Sequence, residues 1–517
     1  MVLLSFLLLS ACQPAEKAEE APAATRPNII FLLTDDQRDN TFSGMGHPTL
    51  KTPNVDKLLS QSVRFSNTYV ASPVCSPSRV SYMTGMHERL HGIGFSSSYQ
   101  LTEEEWEKTY PAIMRKNGYY TGFIGKFGLE YYTFRGEADK KFDFWYGHDG
   151  WTKFFPKDHD EGATKPYHQA KNDIITPIMG EGIRQFLDST SNEKPFCLSV
   201  SLNVPHGSQT TSMYMGYENW HAMERPANEN PQLKGHPIYD TLFRETSLAI
   251  PPETATDPYR FIPQNIMDHE EGRNKTYDYD YEVETNREHH IRYYQTITGV
   301  DKLVGELMAE LEQRGLAENT IIVYGSDHGL IMGEYGMGGK SLLYDLSAKI
   351  PCFIYDPRLP EAQQGKTVDA LVSSLDIPVT FLDFAGLEAP EEMEGRSLVP
   401  LMNGNAENWR DELYLEILFT LRDNPVCEGI RSGDWKYIRM YKVENPYTEK
   451  DLDFSGKKPD FEQLFNLKDD PEEMNNLIAD YEGSELLQEL REKTATHWEE
   501  MNKKREAYKQ SHSVMGR

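Results

Sequence analysis

Two apolar segments, far apart in the chain, each end in acidic residues, and this pattern constrains the fold more than any other feature. Residues 28–33 are followed by Asp35 and Asp36, and residues 320–324 are followed by Asp327. Continuous apolar runs of this length are typical of strands buried on both faces of a parallel sheet. Ligands of such sheets bind beyond the carboxyl ends of the strands, where paired carboxylates suit a hard divalent cation. Each acidic group taken alone is equally compatible with a solvated turn.

Other segments predict further strands and helices. Apolar runs at residues 64–70, 194–202 and 350–355 predict strands, and a period near 3.6 predicts a helix over residues 291–313. Beyond residue 400 the pattern predicts a small antiparallel sheet and a closing helix. Its segments are residues 413–416, 431–438, 462–467 and 484–508.

The overall charge excludes one class of function. The 517 residues include 81 Asp and Glu but only 53 Lys and Arg, which gives a formal net charge of −28. This balance argues against a nucleic-acid partner, because no basic surface is evident. It does not exclude an anionic substrate, since a few cations gathered in one cleft can bind an anion on an acidic protein.

The five cysteines form neither a disulfide framework nor a zinc pattern. Cys197 and Cys352 lie inside apolar runs and are expected to pack as small hydrophobic side chains. Cys75 differs from them, because Pro77 and Arg79 follow it at fixed spacing. Pro77 suits the first turn of a helix, so Cys75 is predicted at a helix N-terminus, with Arg79 one turn further on. An ordinary buried thiol would explain Cys75 if it stood alone.

The first 25 residues resemble an export signal followed by a tether. Residues 2–9 are apolar and too short to span a bilayer, and residues 9–12 read Leu-Ser-Ala-Cys, which resembles a bacterial lipobox. We therefore expect Cys12 to be lipidated and the protein to be exported to the cell envelope, held to the membrane by the lipid alone. No Lys or Arg precedes the apolar run, so export without lipidation and a disordered tail remain alternatives. Residues 13–25 fit a flexible tether.

The spacing Cys75-x-Pro77-x-Arg79 resembles the signature of the type I sulfatases. In that family a dedicated maturation enzyme oxidises this cysteine to formylglycine, also called 3-oxoalanine. The segment from residue 118 to residue 129 resembles a second family motif, in which Lys126 matches a sulfate-binding lysine. Gly128 stands where the family usually has a histidine that helps to release the sulfated intermediate.

Further motifs extend the resemblance in the same order along the chain. His206 follows a strand and resembles the family's leaving-group histidine, and Lys340 matches its second sulfate-binding lysine. Asp327 and His328 match the pair that completes the metal site, where the family usually has asparagine as the second member. The segment from residue 470 to residue 477 matches the family's closing motif. His91 and His148 are candidates to replace the histidine missing at Gly128.

The resemblance spans residues 27–477 and implies the fold of the alkaline phosphatase superfamily. That fold is α/β, with a large domain built on a mainly parallel sheet flanked by helices and a smaller C-terminal domain with an antiparallel sheet and a helix. We predict a catalytic domain at residues 26–400 and a C-terminal α+β subdomain at residues 401–517. The resemblance also implies a bound Ca²⁺, with Mg²⁺ as the second choice. Its ligands would be Asp35, Asp36, residue 75, Asp327 and His328.

The implied activity is hydrolysis of sulfate monoesters, and a sulfated carbohydrate is the favoured substrate. In the family, hydrated formylglycine attacks the sulfur atom of the ester. By this resemblance, the sulfate oxygens would be neutralised by Arg79, Lys126 and Lys340. His206 would protonate the leaving alcohol. Two alternatives stay open: a phosphomonoesterase or phosphodiesterase of the same superfamily, and a catalytically silent glycan-binding lipoprotein.

A long polar stretch at residues 207–288 is either a wall of the sugar site or a surface insertion with its own small core. The aromatic and imidazole side chains considered for a sugar-binding wall are those of Tyr214, Tyr217, Trp220, His221 and His236.

Overall fold

The computed structural model describes most of the chain. It covers residues 26–94, 101–129, 137–206, 233–267, 283–420, 424–443 and 452–512, apart from 149, 151, 153, 159–160 and 192.

The described strands and helices alternate through the first three quarters of the chain and then give way to consecutive strands. The strands are β1 (Asn28–Asp35), β2 (Ser62–Tyr69), β3 (Tyr120–Lys126), β4 (Phe144–His148), β5 (Phe196–Pro205), β6 (Thr320–Ser326), β7 (Ile331–Met332), β8 (Gly338–Gly339), β9 (Phe353–Tyr355), β10 (Thr367–Ser373), β11 (Glu412–Ile417), β12 (Val426–Ser432), β13 (Trp435–Tyr441) and β14 (Phe461–Asn466). The helices are α1 (Pro53–Leu59), α2 (Cys75–Thr84), α3 (Glu88–His91), α4 (Glu103–Trp106), α5 (Tyr110–Lys116), α6 (Glu161–His168), α7 (Ile175–Ser189), α8 (Val283–Gln313), α9 (Asp345–Ala348), α10 (Asp376–Phe384), α11 (Val399–Met402) and α12 (Glu485–His512).

The large sheet has eight strands in the order β10-β2-β9-β6-β1-β5-β3-β4. Strand β1 pairs in parallel with both β5 and β6, and β3 pairs in parallel with β5 and β4. Among the described strands of this large sheet, only β9 runs against its neighbours, since its pairings with β2 and β6 are antiparallel. The predicted mainly parallel sheet is therefore confirmed.

Both faces of the large sheet are buried, as the uninterrupted apolar runs predict. On β1, Ile30 and Leu32 enter one hydrophobic core, whereas Ile29, Phe31 and Leu33 enter the core on the opposite face. Helices α7 and α8 cover the first face, and α2, α5 and α10 cover the second. Helix α8 begins at Val283, eight residues before the predicted start at Ile291. The sequence pattern misses these first turns because they are polar and lack the apolar period.

The second sheet is antiparallel, in the order β11-β12-β13-β14. Leu487 and Leu490 of α12 pack on one face of it with Ile430 and Leu464. The predicted α+β architecture of the C-terminal part is confirmed, while the domain boundary at residue 400 stays a prediction. Within the described residues, no helix combines the length and the apolar character that a membrane span requires.

Four parallel strands of the large sheet end at one edge. Strand β1 ends at Asp35, β3 at Lys126, β5 just before His206, and β6 just before Asp327. The fold therefore brings together residues that are separated by up to about three hundred positions in the chain, at the edge where α/β sheets bind their ligands.

Candidate active site and metal centre

Helix α2 presents Cys75 at the centre of this edge. The helix begins at Cys75 and ends before Gly85, whose φ of 68° is the left-handed conformation that glycine adopts without strain. The Sγ atom of Cys75 lies 3.5 Å from Asp35 Oδ1, 3.2 Å from His328 Nε2 and 2.9 Å from Lys340 Nζ. The thiol is 3% exposed, so the residue is buried among charged groups rather than apolar ones.

Three buried carboxylates surround the thiol. Asp35, Asp36 and Asp327 are each 0% exposed. Asp36 has a φ of 64°, which is uncommon outside glycine, and its backbone amide donates a hydrogen bond to Asp327 Oδ1 at 3.3 Å. The hydroxyl of Tyr293 on α8 donates to the carbonyl oxygen of Asp36 at 2.8 Å. The unusual backbone conformation turns consecutive carboxylates toward the same point.

Two lysines balance part of this negative charge. Lys126 Nζ lies 2.5 Å from Asp35 Oδ2, and Lys340 Nζ lies 2.9 Å from Asp36 Oδ1. Both side chains are almost fully buried, with 5% and 3% exposure of the residues. Each lysine therefore holds its charge at the site instead of in solvent.

Arg79 lies one helical turn after Cys75, and its guanidinium binds two carboxylates at once. Its Nε donates to Asp327 Oδ2 at 2.9 Å and its Nη2 donates to Asp35 Oδ2 at 3.1 Å. Its Nη1 donates to the carbonyl oxygen of Lys126 at 3.0 Å and to the hydroxyl of Ser201. The predicted contact of Arg79 with sulfate stays a prediction, and the geometry gives this residue a second task, which is to orient Asp35 and Asp327.

Two histidines complete the cluster. His206 Nε2 lies 4.0 Å from Asp36 Oδ2, and His328 Nε2 lies 3.4 Å from Asp327 Oδ1. The potential ligand atoms of Asp35, Cys75, Asp327 and His328 lie within 4.8 Å of one another, and so do those of Asp35, Asp36, Cys75 and His206. The residues predicted to bind the metal or to act on the sulfate ester are brought together at this edge; they are Asp35, Asp36, Cys75, Arg79, Lys126, His206, Asp327, His328 and Lys340.

Burial and neighbouring charges together shift the pKa values of these groups. Burial raises the pKa of the Cys75 thiol to about 12, and neighbouring Asp35 acts in the same direction. Burial also opposes ionisation of Asp35, yet Lys126 and His206 beside it hold the pKa of Asp35 well below its ordinary value. The pKa of Asp36 is raised, chiefly by burial. Burial lowers the pKa of His206 well below its ordinary value, so the imidazole is neutral at pH 7 in the ligand-free protein.

The backbone conformation at Gly128 disfavours any residue that has a side chain. Its φ is +65°, and a Cβ atom built there would lie 2.8 Å from Arg79 Cδ. A histidine at this position would be strained and would press on the guanidinium that holds the carboxylates. Of the two proposed replacements, His148 on β4 is the backbone register partner of Lys126 on β3, and its Nδ1 lies 2.7 Å from the hydroxyl of Tyr167. The hydrogen bonds of His91 go to Ser81 and Ile93, outside the cluster.

Sequence reasoning missed three supporting hydroxyl groups. The hydroxyl of Ser78 donates to the carbonyl oxygen of Asp327 at 2.6 Å, while Ser201 and Tyr293 make the contacts described above. Ser78 stands at a variable position of the cysteine motif, and nothing in the spacing of Ser201 or Tyr293 marks them. His236 lines a surface cavity of about 320 Å³ beside α7 and α8. Cys12, Tyr214, Tyr217, Trp220 and His221 lie outside the described residues.

Comparison with known proteins places the chain in a family. A family model described as Sulfatase matches residues 27–387. This chain belongs to the sulfatase family. A second model, described as N-sulphoglucosamine sulphohydrolase, C-terminal, matches residues 333–500 of the sulfatase. The protein is accordingly an enzyme that hydrolyses sulfuric esters, and the predicted family is confirmed.

Curated relatives match this sulfatase over most of its length. An N-acetylglucosamine-6-O-sulfatase of Bacteroides thetaiotaomicron is 27% identical over 94% of this chain and 88% of its own length. An ulvan-active sulfatase of Formosa agariphila is 27% identical over 90% of this chain and 84% of its own.

Solved structures share the fold of the sulfatase. One, in complex with its substrate D-glucosamine-2-N,6-O-disulfate, has a TM-score of 0.66 at 24% identity, covering 93% of this chain and 99% of that chain. A phosphonate monoester hydrolase of Agrobacterium radiobacter has a TM-score of 0.64 at 23% identity, covering 91% of this chain and 96% of its own. At these identities the likeness establishes the alkaline-phosphatase-like fold and leaves the substrate open.

Proposed function

We propose that this sulfatase removes sulfate from a sulfated carbohydrate. The observation that carries the proposal is the gathering of three cationic side chains, those of Arg79, Lys126 and Lys340, around Cys75 at one buried edge of the sheet. Such cations stabilise the negative charge on sulfate oxygens during transfer. Several relatives are named for sulfated sugars, including N-acetylglucosamine-6-sulfatases of goat and human, which supports a sulfated sugar as the substrate.

The second part of the proposal is that a maturation enzyme oxidises Cys75 to formylglycine. As a thiol, Cys75 is a poor nucleophile here, because burial raises its pKa to about 12. Its sulfur is also the soft member of a set that otherwise consists of carboxylate oxygens and an imidazole. Oxidation and hydration would place oxygen at this position, which suits both nucleophilic attack and a hard cation.

The third part is that Ca²⁺, with Mg²⁺ as the second choice, binds between the carboxylates. Two oxygens that share one Ca²⁺ at about 2.4 Å lie at most about 4.8 Å apart. The ligand atoms of Asp35, Cys75, Asp327 and His328 meet that limit among themselves, and Asp36 meets it with Asp35 and Cys75. Asp36 Oδ2 is buried and, within the described part of the chain, has no hydrogen-bond partner, as expected of an atom reserved for an ion. Asp35, Asp36, Asp327 and His328 would hold the cation, which would polarise the sulfate ester and the nucleophile at position 75.

The remaining side chains have roles that follow from their positions. Lys126 and Lys340 would bind sulfate oxygens and keep them oriented toward residue 75. His206 is the candidate acid for the leaving alcohol; it is neutral in the ligand-free protein, and the negative charge of a bound sulfate ester would raise its pKa. Gly128 supplies no side chain, and a histidine there would be strained in this backbone conformation, so release of sulfate would depend on another base.

We also propose that the protein is exported and held at the membrane by a lipid on Cys12. Support comes from the lipobox-like residues 9–12 and the polar tether that follows them. Metabolic labelling with a tagged palmitate in the native host would test this, with Cys12→Ala as the control. Absence of label from the wild-type protein would contradict lipidation while leaving the catalytic proposal intact.

A panel of defined esters tests the substrate class. The wild-type enzyme, produced together with a formylglycine-generating enzyme, would be assayed on glucosamine sulfates, ulvan-type oligosaccharides, nitrophenyl sulfate and nitrophenyl phosphate. We expect the highest kcat/KM on one of the sulfated sugars. A higher kcat/KM on nitrophenyl phosphate would favour the phosphatase alternative. That alternative is tested because a phosphonate monoester hydrolase shares this fold.

A further inference from the structure

The loop that carries Lys340 is packed against the C-terminal sheet. Residues 342–344 are each 0% exposed and share a hydrophobic core with residues of β11, β12, β13 and β14. Gln463 on β14 donates a hydrogen bond to the hydroxyl of Tyr344 at 2.8 Å. One end of the loop therefore reaches the reacting centre through Lys340, while the rest of it is buried in a different part of the fold.

A buried ion pair of the C-terminal subdomain holds the backbone of this loop. Lys436 on β13 is 0% exposed, and its Nζ donates to the carbonyl oxygen of Leu343 at 3.0 Å and to Glu473 Oε1 at 2.7 Å. The other oxygen of Glu473 accepts the backbone amide of Asp345 at 2.5 Å. Lys436 also pairs with the carboxylate of Asp345, which the hydroxyl of Tyr69 contacts at 3.0 Å. Lys436 and Glu473, which we call the loop clamp, thus bind the loop at both a carbonyl oxygen and an amide.

The loop needs such external support. Ser341, directly after Lys340, has a φ of +69°, a conformation that is costly for a residue with a side chain and persists only where the surroundings enforce it. Its amide donates to the carbonyl oxygen of Pro73 at 3.3 Å, and its own carbonyl oxygen accepts from Asn424 Nδ2 at 3.0 Å. The loop is consequently tied to the segment before Cys75 on one side and to the C-terminal subdomain on the other.

We propose that the loop clamp positions Lys340 for catalysis. Glu473 lies in the closing motif at residues 470–477, which has no contact with Cys75 among those described, so the clamp acts through the loop and not on the substrate. A buried ion pair is a weak source of stability in itself, whereas fixing a charged side chain within a fraction of an ångström matters greatly to rate. The inference rests on the proposed sulfatase function and gives the C-terminal motif a task within it.

A double-mutant cycle tests the clamp. Glu473→Gln would be measured in the wild-type background and in a Lys340→Ala background, with sulfate release and binding of inorganic sulfate by calorimetry as readouts. Because a displacement of about 1 Å can cost about 100-fold, we expect Glu473→Gln to lower kcat/KM by about 10- to 100-fold in the wild type. In the Lys340→Ala background the same substitution should change it less than about 2-fold, since the positioned group is already gone.

Three results would overturn the proposal. They are an equal loss in both backgrounds, an unchanged kcat/KM in the wild-type background, and an equal loss caused by the matched control Glu462→Gln. Glu462 lies on β14 of the same sheet and binds Arg491 at 2.8 Å, away from the loop. A merely structural role would lower stability without coupling to Lys340.

Folding and function are kept separate in this design. If Glu473→Gln does not fold, the triple replacement Lys436→Met, Glu473→Met and Asp345→Asn enters the same cycle. It removes the lysine together with both carboxylates that it pairs with, which proteins tolerate better than an unpaired charge. If the wild-type enzyme releases no sulfate from any ester, the proposed function fails. The clamp is then judged by the coupling in sulfate-binding affinity alone.

Discussion

At the scale of the residue, the site is a balance of buried charges that single substitutions can upset. Asp35, Asp36 and Asp327 are fully buried, and Arg79, Lys126 and Lys340 compensate them at hydrogen-bonding distance. Such an arrangement is costly to assemble, and removal of one partner leaves a buried charge uncompensated, so we expect substitutions here to lower both turnover and stability.

The two lysines provide the first prediction. Lys126→Ala and Lys340→Ala should each lower kcat by about 100- to 1000-fold, the usual cost of removing one group that stabilises transition-state charge. Steady-state kinetics on the preferred sulfated sugar measure this effect. Lys140→Ala is the matched control, because Lys140 is exposed and pairs only with nearby Glu137 among the contacts described. A loss below tenfold for both site lysines would contradict their assignment.

Gly128 provides the second prediction. Gly128→His should lower both activity and stability instead of supplying the histidine that the family usually has, because its Cβ atom would meet Arg79 Cδ at 2.8 Å. Gly315→His separates the two causes, since Gly315 has a similar φ of +68° but nothing within 4 Å of a built Cβ. Thermal unfolding and sulfate release of both variants measure the difference. An increase in turnover for Gly128→His would show that the backbone can adapt.

At the scale of the element, short helix α3 joins the large domain to the C-terminal subdomain. Arg89 is 0% exposed and binds Glu416 of β11 at 3.0 Å and Glu428 of β12 at 2.6 Å. It also donates to the carbonyl oxygen of Leu452 at 2.8 Å and to Asn502 of α12 at 3.0 Å. One guanidinium therefore contacts the antiparallel sheet, the segment at Leu452 and helix α12.

Removal of this guanidinium provides the third prediction. Arg89→Met should lower the free energy of unfolding by about 3–5 kcal/mol, because it leaves the buried carboxylate of Glu416 uncompensated. Arg115→Met, which removes a half-exposed guanidinium paired with Asp143, should cost no more than about 1 kcal/mol. Denaturant unfolding followed by fluorescence compares the two. Equal effects would mean that α3 does not hold the subdomain in place.

The sequence predicts the strands and helices better than it predicts the side-chain contacts between them. The apolar runs ending at Asp35 and Asp327 identify strands and their functional ends, because burial on both faces leaves a continuous pattern. The contacts of Arg89 with the C-terminal region and of the loop clamp with residues 343–345 escape prediction, since they join residues more than ninety positions apart through pairings that no local period records. The same holds for Tyr293, whose place on the helix marks it only as a core residue.

At the scale of the whole molecule, one edge of the large sheet carries the site residues, and the C-terminal subdomain packs against the loop that carries Lys340. The acidic surface implied by a net charge of −28 does not prevent anion binding, because the cations are concentrated in one buried place. If a cation binds the three buried carboxylates as proposed, its binding and the folding of the chain are thermodynamically linked.

This linkage provides the fourth prediction. Addition of Ca²⁺ should raise the melting temperature of the metal-stripped protein, with a stabilisation of about 2.7 kcal/mol at about 100 times Kd. Asp36→Asn should abolish most of the shift, whereas Asp188→Asn, at a surface carboxylate that is 67% exposed, should leave it intact. Calorimetry with and without a chelator measures both. A melting temperature independent of Ca²⁺ and Mg²⁺ would contradict the metal site.

The central claim is that sulfate release depends on the oxidised form of residue 75. Preparations made with graded amounts of a formylglycine-generating enzyme would differ in the fraction of Cys75 converted to aldehyde, which peptide mass spectrometry quantifies. We expect the rate of sulfate release per protein molecule to rise in proportion to that fraction and to extrapolate to zero for intact cysteine. Turnover at full rate in a preparation whose Cys75 is entirely unmodified would contradict it.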